Sequence, residues 1–148
     1  MSGEIAAKAV PEKLIPNKGV SYGSSQSRGV NGFTPRQLAR LDEALTLSSR
    51  ETGLTFSIYI GQLNEPTRDS AEALFNKLAT EVDAPLLVAV SPGQRVLQIV
   101  TGEESGARVP NKSCALAALS MRAAFTAGDL AGGITTGLRM LADAAGRP

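Results

Sequence analysis

The stretch Leu86-Leu87-Val88-Ala89-Val90-Ser91-Pro92-Gly93-Gln94-Arg95-Val96-Leu97-Gln98-Ile99-Val100-Thr101 decides the fold. Its first five residues are apolar throughout, as in a strand covered on both faces, and Ser91 to Gln94 form a turn whose cause is chemical. Pro92 presets one backbone angle and Gly93 relaxes the next. Arg95 to Thr101 then returns as an antiparallel partner. A hairpin around one fully buried strand needs layers on both sides, so the surrounding sequence must supply a second strand and helices.

Upstream, Leu54 to Ile60 alternates apolar with polar or amphipathic residues, which predicts a strand with one covered face. Between the two strands, Asp69 with Glu72 matches a capping box, and Leu74, Phe75, Leu78 and Val82 space a helical stripe. Strand, helix, strand makes the first two strands parallel through a right-handed crossover. Ahead of them, Thr34-Pro35-Arg36-Gln37 combines a Thr cap, a Pro in the first turn and a Gln three residues after the cap. A helix therefore starts there, buries Leu38, Leu41 and Leu45, and stops near Thr52-Gly53.

Downstream, Gly102 to Asn111 reads as a loop. Asn111 caps a third helix carrying Cys114, Ala117, Ala118, Met121 and Phe125, and Asp129 caps a fourth with Leu130, Ile134, Leu138 and Leu141. Gly132, Gly133 and Gly137 on that last helix permit close backbone approach. The fold class is α/β: a three-layer domain with a small mixed sheet, a parallel pair plus a hairpin strand, flanked by about four helices. It spans 33–148. Residues 1–32, with Pro11, Pro16 and several glycines but no apolar period, form a flexible N-terminal arm, from which Leu14, Ile15, Val20 or Tyr22 could dock as an added edge strand.

Composition excludes several chemistries. In 148 residues, with 43% hydrophobic and 20% charged, there is material for one ordinary globular core. A net charge of +1 and no clustered Lys/Arg argue against nucleic acid. The sequence holds no His, so a Ser-His-Asp or Cys-His hydrolase and a His-ligated zinc site are out of reach. One cysteine, Cys114, forms no intrachain disulfide, and its place on an apolar helix face reads as a structural thiol. Met1 to Lys8 shows no secretory leader, and no window reaches the length of a membrane span. A cytoplasmic location without a membrane span is the expectation.

The segment Gly106-Ala107-Arg108-Val109-Pro110-Asn111-Lys112-Ser113 ends in Lys-Ser like a phosphate-binding loop. It lacks the second Gly, and Pro110 has no N–H to offer, so it reads as an ordinary connection. Carboxylates remain the only groups able to hold a cation such as Ca²⁺ or Mg²⁺. The topology places Glu103, Glu104 and Asn111 together at one end of the sheet. Glu65, Asp69 and Asp129 lie at the other, near the Ser91 turn. The first set is the preferred candidate for metal, and no catalytic residue is identified.

The segments Glu51 to Ile58, Leu86 to Gly102, Val109-Pro110-Asn111 and Phe125-Thr126-Ala127-Gly128-Asp129-Leu130 resemble a TPM-type domain, in particular a small actinobacterial family of unknown function with that fold. The resemblance runs from Phe33 to the C-terminus. It implies a TPM-like fold, and for some such domains phosphatase activity or divalent-cation binding; this chain has Asn111 where similar sequences often carry Asp. Two functional expectations follow. One is a non-catalytic binding or accessory domain with a protein partner and no cofactor. The alternative is a divalent-metal-dependent phosphatase-like hydrolase in which Glu103 and Glu104 hold the cation and Asn111 orients a ligand.

Overall fold

The computed structural model describes residues 20–22 and 33–148. Strand β1 (Val20–Tyr22) is followed by helix α1 (Pro35–Thr52), β2 (Thr55–Ile60), α2 (Thr67–Ala79) and β3 (Pro85–Ser91). After one 3-10 turn come β4 (Val96–Thr101), α3 (Glu103–Arg108), α4 (Asn111–Ala127) and α5 (Leu130–Ala145).

The four strands form one sheet in the order β1-β2-β3-β4. β1 and β2 are parallel, as are β2 and β3, while β3 and β4 make the antiparallel hairpin with Val88 opposite Ile99. The sheet is therefore mixed, as expected, with one strand more than the three read from the body of the sequence. That strand is the edge addition of Val20 to Tyr22. Leu14, Ile15 and the rest of 1–32 lie outside the described residues.

Two cores flank the sheet. One side packs α1, α4 and α5 over Phe56, Ile58, Ile60, Leu86, Val88, Val90, Leu97 and Ile99. The other packs α2, through Leu74, Phe75 and Leu78, over Tyr59, Leu87, Ala89 and Val100. β2 departs from the alternating expectation here: Ser57 and Tyr59 are as buried as Phe56 and Ile58. The pattern misleads because an inner strand of a three-layer domain has no solvent face, and a buried Tyr or Ser reads as polar. Tyr59 keeps its hydroxyl satisfied by donating to the Gln62 carbonyl at 2.8 Å, whereas the Ser57 hydroxyl has no partner among the described residues.

The capping logic holds at two helices. Thr34 Oγ1 accepts from Gln37 N–H at 3.1 Å while Gln37 Oε1 accepts from Thr34 N–H at 2.8 Å. Asp129 accepts from Gly132 N–H at 3.1 Å. At two others it does not. Asp69 is the third residue of α2, whose cap is Pro66, and Asn111 is the first residue of α4, whose cap is Pro110. Neither proline offers a side-chain cap; their carbonyls accept from Ser70 and Cys114 instead. Asp69 still favours the positive end of its helix by charge.

The segment Gly102 to Asn111 is not a plain loop, since it contains α3. Tertiary bonds hold this short helix. Ser105 is fully buried; its hydroxyl accepts from Gly102 N–H at 2.9 Å and donates to the Pro85 carbonyl at 2.6 Å. Arg108 donates to the carbonyls of Ala145, Gly146 and Arg147, tying α3 to the end of α5.

Candidate functional site

The two carboxylate groups separate to opposite ends of the sheet. Glu103 and Glu104 occupy the first turn of α3, exposed, beside the start of β3 that Ser105 holds. In that turn they face the positive end of the helix dipole, which gives them a structural role without a metal. Asn111 is exposed one residue after Pro110. At the other end, Glu65 and Asp69 are exposed around the start of α2, and Asp129 is committed to its cap. Among the described residues no three His, Cys, Asp or Glu side chains assemble into a group that could hold a metal ion.

The remaining reactive groups are restrained by burial. Burial pushes the Cys114 thiol up, against a smaller opposite pull from the Arg68 guanidinium, so this half-buried sulfur is held in its poorly nucleophilic form. Its Sγ lies 3.8 Å from the Val109 carbonyl. Burial likewise pushes Tyr59 up to about 12, leaving a neutral phenol over the physiological range.

The open edge of the sheet is guarded. Arg68 from α2 donates to the Ile99 carbonyl at 2.9 Å, and Arg122 from α4 donates to the Leu97 carbonyl at 3.1 Å. Two acceptors that an incoming strand would need on β4 are thus occupied by guanidinium groups reaching in from either face. This device blunts edge-to-edge pairing, and Arg68 is itself held by Glu72 at 3.0 Å. Strand addition at β4 is disfavoured, which moves attention to the helices.

On α4 the inward face, Ala117, Ala118, Met121 and Ala124, is buried against the sheet and α5. Its outward face is unusual for a surface helix. Leu116 is 51% exposed and Leu119, one turn on, 64% exposed, with Ala115 and Ala123 exposed around them. The charges of this helix are Lys112 and Arg122, both exposed, and it carries no acidic residue. The only other large apolar side chain so exposed among the described residues, Leu47 on α1, stands between Glu43 and Glu51. Neither Leu116 nor Leu119 was singled out by the sequence patterns. The signal was present as a helix whose apolar residues continue around to the solvent side.

Comparison with known proteins agrees with this picture at the level of fold and family. Residues 19–142 match the family described as Domain of unknown function (DUF5130). Uncharacterized proteins of Mycobacterium tuberculosis, from strains CDC 1551 and H37Rv, are each 34% identical over 109 residues, 74% of this chain. The match takes in 65% of each of those relatives' length. Among solved structures, the N-terminal domain of a P. gingivalis protein superposes with a TM-score of 0.64 at 17% identity, covering 76% of this chain and 75% of that one. The BA42 protein of Bizionia argentinensis gives 0.58 at 15% identity over 70% and 74% of the two chains. These likenesses support the three-layer arrangement. No helix among the described residues is long and apolar enough to cross a membrane. With the profile match spanning most of the chain, from β1 into α5, the chain belongs to the DUF5130 family of domains of unknown function.

Proposed function

We propose that this domain is a non-catalytic binding module that docks a protein partner on the outer face of α4. The observation that carries the reading is the pair Leu116 and Leu119, more than half exposed and one turn apart on a helix whose only charges are positive. A soluble domain gains nothing in folding from leucines in water, whereas covering them on docking would contribute roughly 1 kcal/mol each, about half the value of full burial. The charge pattern specifies the occupant: a protein segment presenting an apolar ridge bordered by a carboxylate that meets Lys112.

The test compares the wild type with a Leu116→Ser, Leu119→Ser variant and with Lys112→Glu, each immobilised for capture from its native host, followed by binding of the identified partner in purified form. The thermal midpoint should stay within a few degrees of the wild type in both variants, because Lys112 is exposed and Leu116 and Leu119 are more than half exposed. Affinity should fall at least tenfold in both variants. Equal affinity across the three would remove α4 from the interface. A midpoint that rises with Ca²⁺ or Mg²⁺, and no longer does so in Glu103→Ala, Glu104→Ala, would shift the reading to the metal-dependent hydrolase.

A further inference from the structure

The C-terminal ends of the parallel strands open onto a second feature, independent of the α4 surface. A cavity of about 200 Å³ lies between the start of α1, the hairpin turn and the α4–α5 corner, lined by Phe33, Gln37, Pro92, Arg95, Phe125 and Leu130 among others. In open α/β sheets this end is where ligands commonly bind. The lining contains two phenyl groups and no acidic side chain.

Its polar groups are both donors. Gln37 spends its Oε1 on Thr34 N–H in the α1 capping box, which fixes the amide orientation and leaves Nε2 turned elsewhere with its hydrogens. Arg95 has no hydrogen bond or ion pair from its guanidinium among the described residues, while Arg68, Arg108 and Arg122 are all engaged. Arg95 also sits at φ 56°, ψ 43°, a left-handed position that Gly or Asn fills at lower cost. A long cationic side chain there is not what the turn requires, and backbone strain of this kind is a reason to look for a role.

We infer that the cavity beneath Arg95 binds a small organic acid, an aromatic or compact aliphatic carboxylate, with the carboxylate held by the Arg95 guanidinium and Gln37 Nε2 and the apolar body against Phe33 and Phe125. A planar guanidinium matches a carboxylate by two parallel hydrogen bonds. The volume decides the size of the body. A closed cavity of roughly 150 Å³ accommodates benzene, so about 200 Å³ open to solvent on one side takes one ring, with the acid group at the mouth beside Arg95. A single guanidinium with no second cation suits a monoanion better than a phosphate.

The experiment is an amide NMR titration of the full chain with phenylacetate, 2-phenylethanol and acetate, and with a short peptide ending in a free phenylalanine carboxylate. Phenylacetate should shift Gln37, Arg95, Phe125 and Leu130 with a dissociation constant on the order of 1 mM, as expected for about ten non-hydrogen atoms. The alcohol and acetate should bind at least tenfold more weakly. Arg95→Gly keeps the left-handed turn at ease, so it folds, and it should weaken phenylacetate at least tenfold; Arg95→Lys should retain part of the binding. Absence of shifts at these residues, equal binding by phenylacetate and the alcohol, or full affinity in Arg95→Gly would each overturn the proposal. Tighter binding of the peptide than of phenylacetate would overturn the small-acid source and assign the pocket to a chain terminus.

Discussion

Gly133→Ala is the substitution for which the structure and the residue-level rule point in opposite directions. In an isolated helix, replacing an interior Gly by Ala stabilises by about 1 kcal/mol. Here a Cβ on Gly133 would overlap the Cβ of Ala124 on α4, with Ala124 Cα and the Met121 carbonyl oxygen both at 3.7 Å behind it. Ala124 has no torsion with which to move its methyl aside, so α4 and α5 must separate. Overpacking of this kind costs roughly 1 to 3 kcal/mol, and near the upper end of that range it outweighs the propensity gain, leaving a net loss of about 1 to 2 kcal/mol. Gly137→Ala probes the same seam one turn on: its Cβ would overlap Met121 Cε and Cγ, and Met121 is fully buried, so a loss is expected there too. Urea denaturation of these two variants, of Ala124→Gly, and of Gly133→Ala combined with Ala124→Gly measures the effect, the completed cycle giving a coupling energy of about 1 kcal/mol or more. A Gly133→Ala protein more stable than wild type, or an additive cycle, would refute the close seam between these helices.

Three further outcomes follow from buried groups and the guarded edge. Tyr59 has its pKa raised from 10.0 to about 12 in the folded state, so the neutral phenol favours folding; that contribution is complete below pH 10 and should be lost as the pH rises from 10 to 12. Phenolate absorbance should show one tyrosine titrating late. Ser57→Ala removes a buried hydroxyl with no partner among the described residues, and should raise stability by about 1 kcal/mol in the same denaturation assay. Replacing Arg68 and Arg122 together by Ser frees the Leu97 and Ile99 carbonyls, and sedimentation should show concentration-dependent association that the wild type lacks.

What the sequence made legible was whatever rests on local chemistry. The capping box at Thr34, the Asp129 cap, the hairpin turn at Pro92-Gly93 and the fully apolar β3 all announce themselves within a few residues. What it hid depends on distant partners. Helix α3 has no apolar period in Glu-Glu-Ser-Gly-Ala-Arg, and exists because Ser105 reaches the start of β3 and Arg108 reaches the end of α5. Helices that begin after Pro66 and Pro110 carry no side-chain cap, so Asp69 and Asn111 drew the boundary to themselves. Candidate sites follow the same division. Acidic residues can be sorted to the two ends of the sheet from topology, but whether they converge is a matter of side-chain placement, and the described ones do not. The Arg95 cavity gathers Phe33 and Gln37, the Pro92 to Arg95 turn, and Phe125 and Leu130 from three places along the chain, beyond the reach of any motif.

Site-specific photo-crosslinking in the native host tests α4 as a partner-binding face most directly. A photoreactive residue replaces Leu119 in one protein and Thr136, exposed on α5, in another. A discrete crosslinked species should form from position 119, be absent from position 136, and be lost when Lys112→Glu is added to the first protein. Crosslinking from position 136 but not 119, or a product at 119 that survives the charge reversal, would rule out α4 as the docking face.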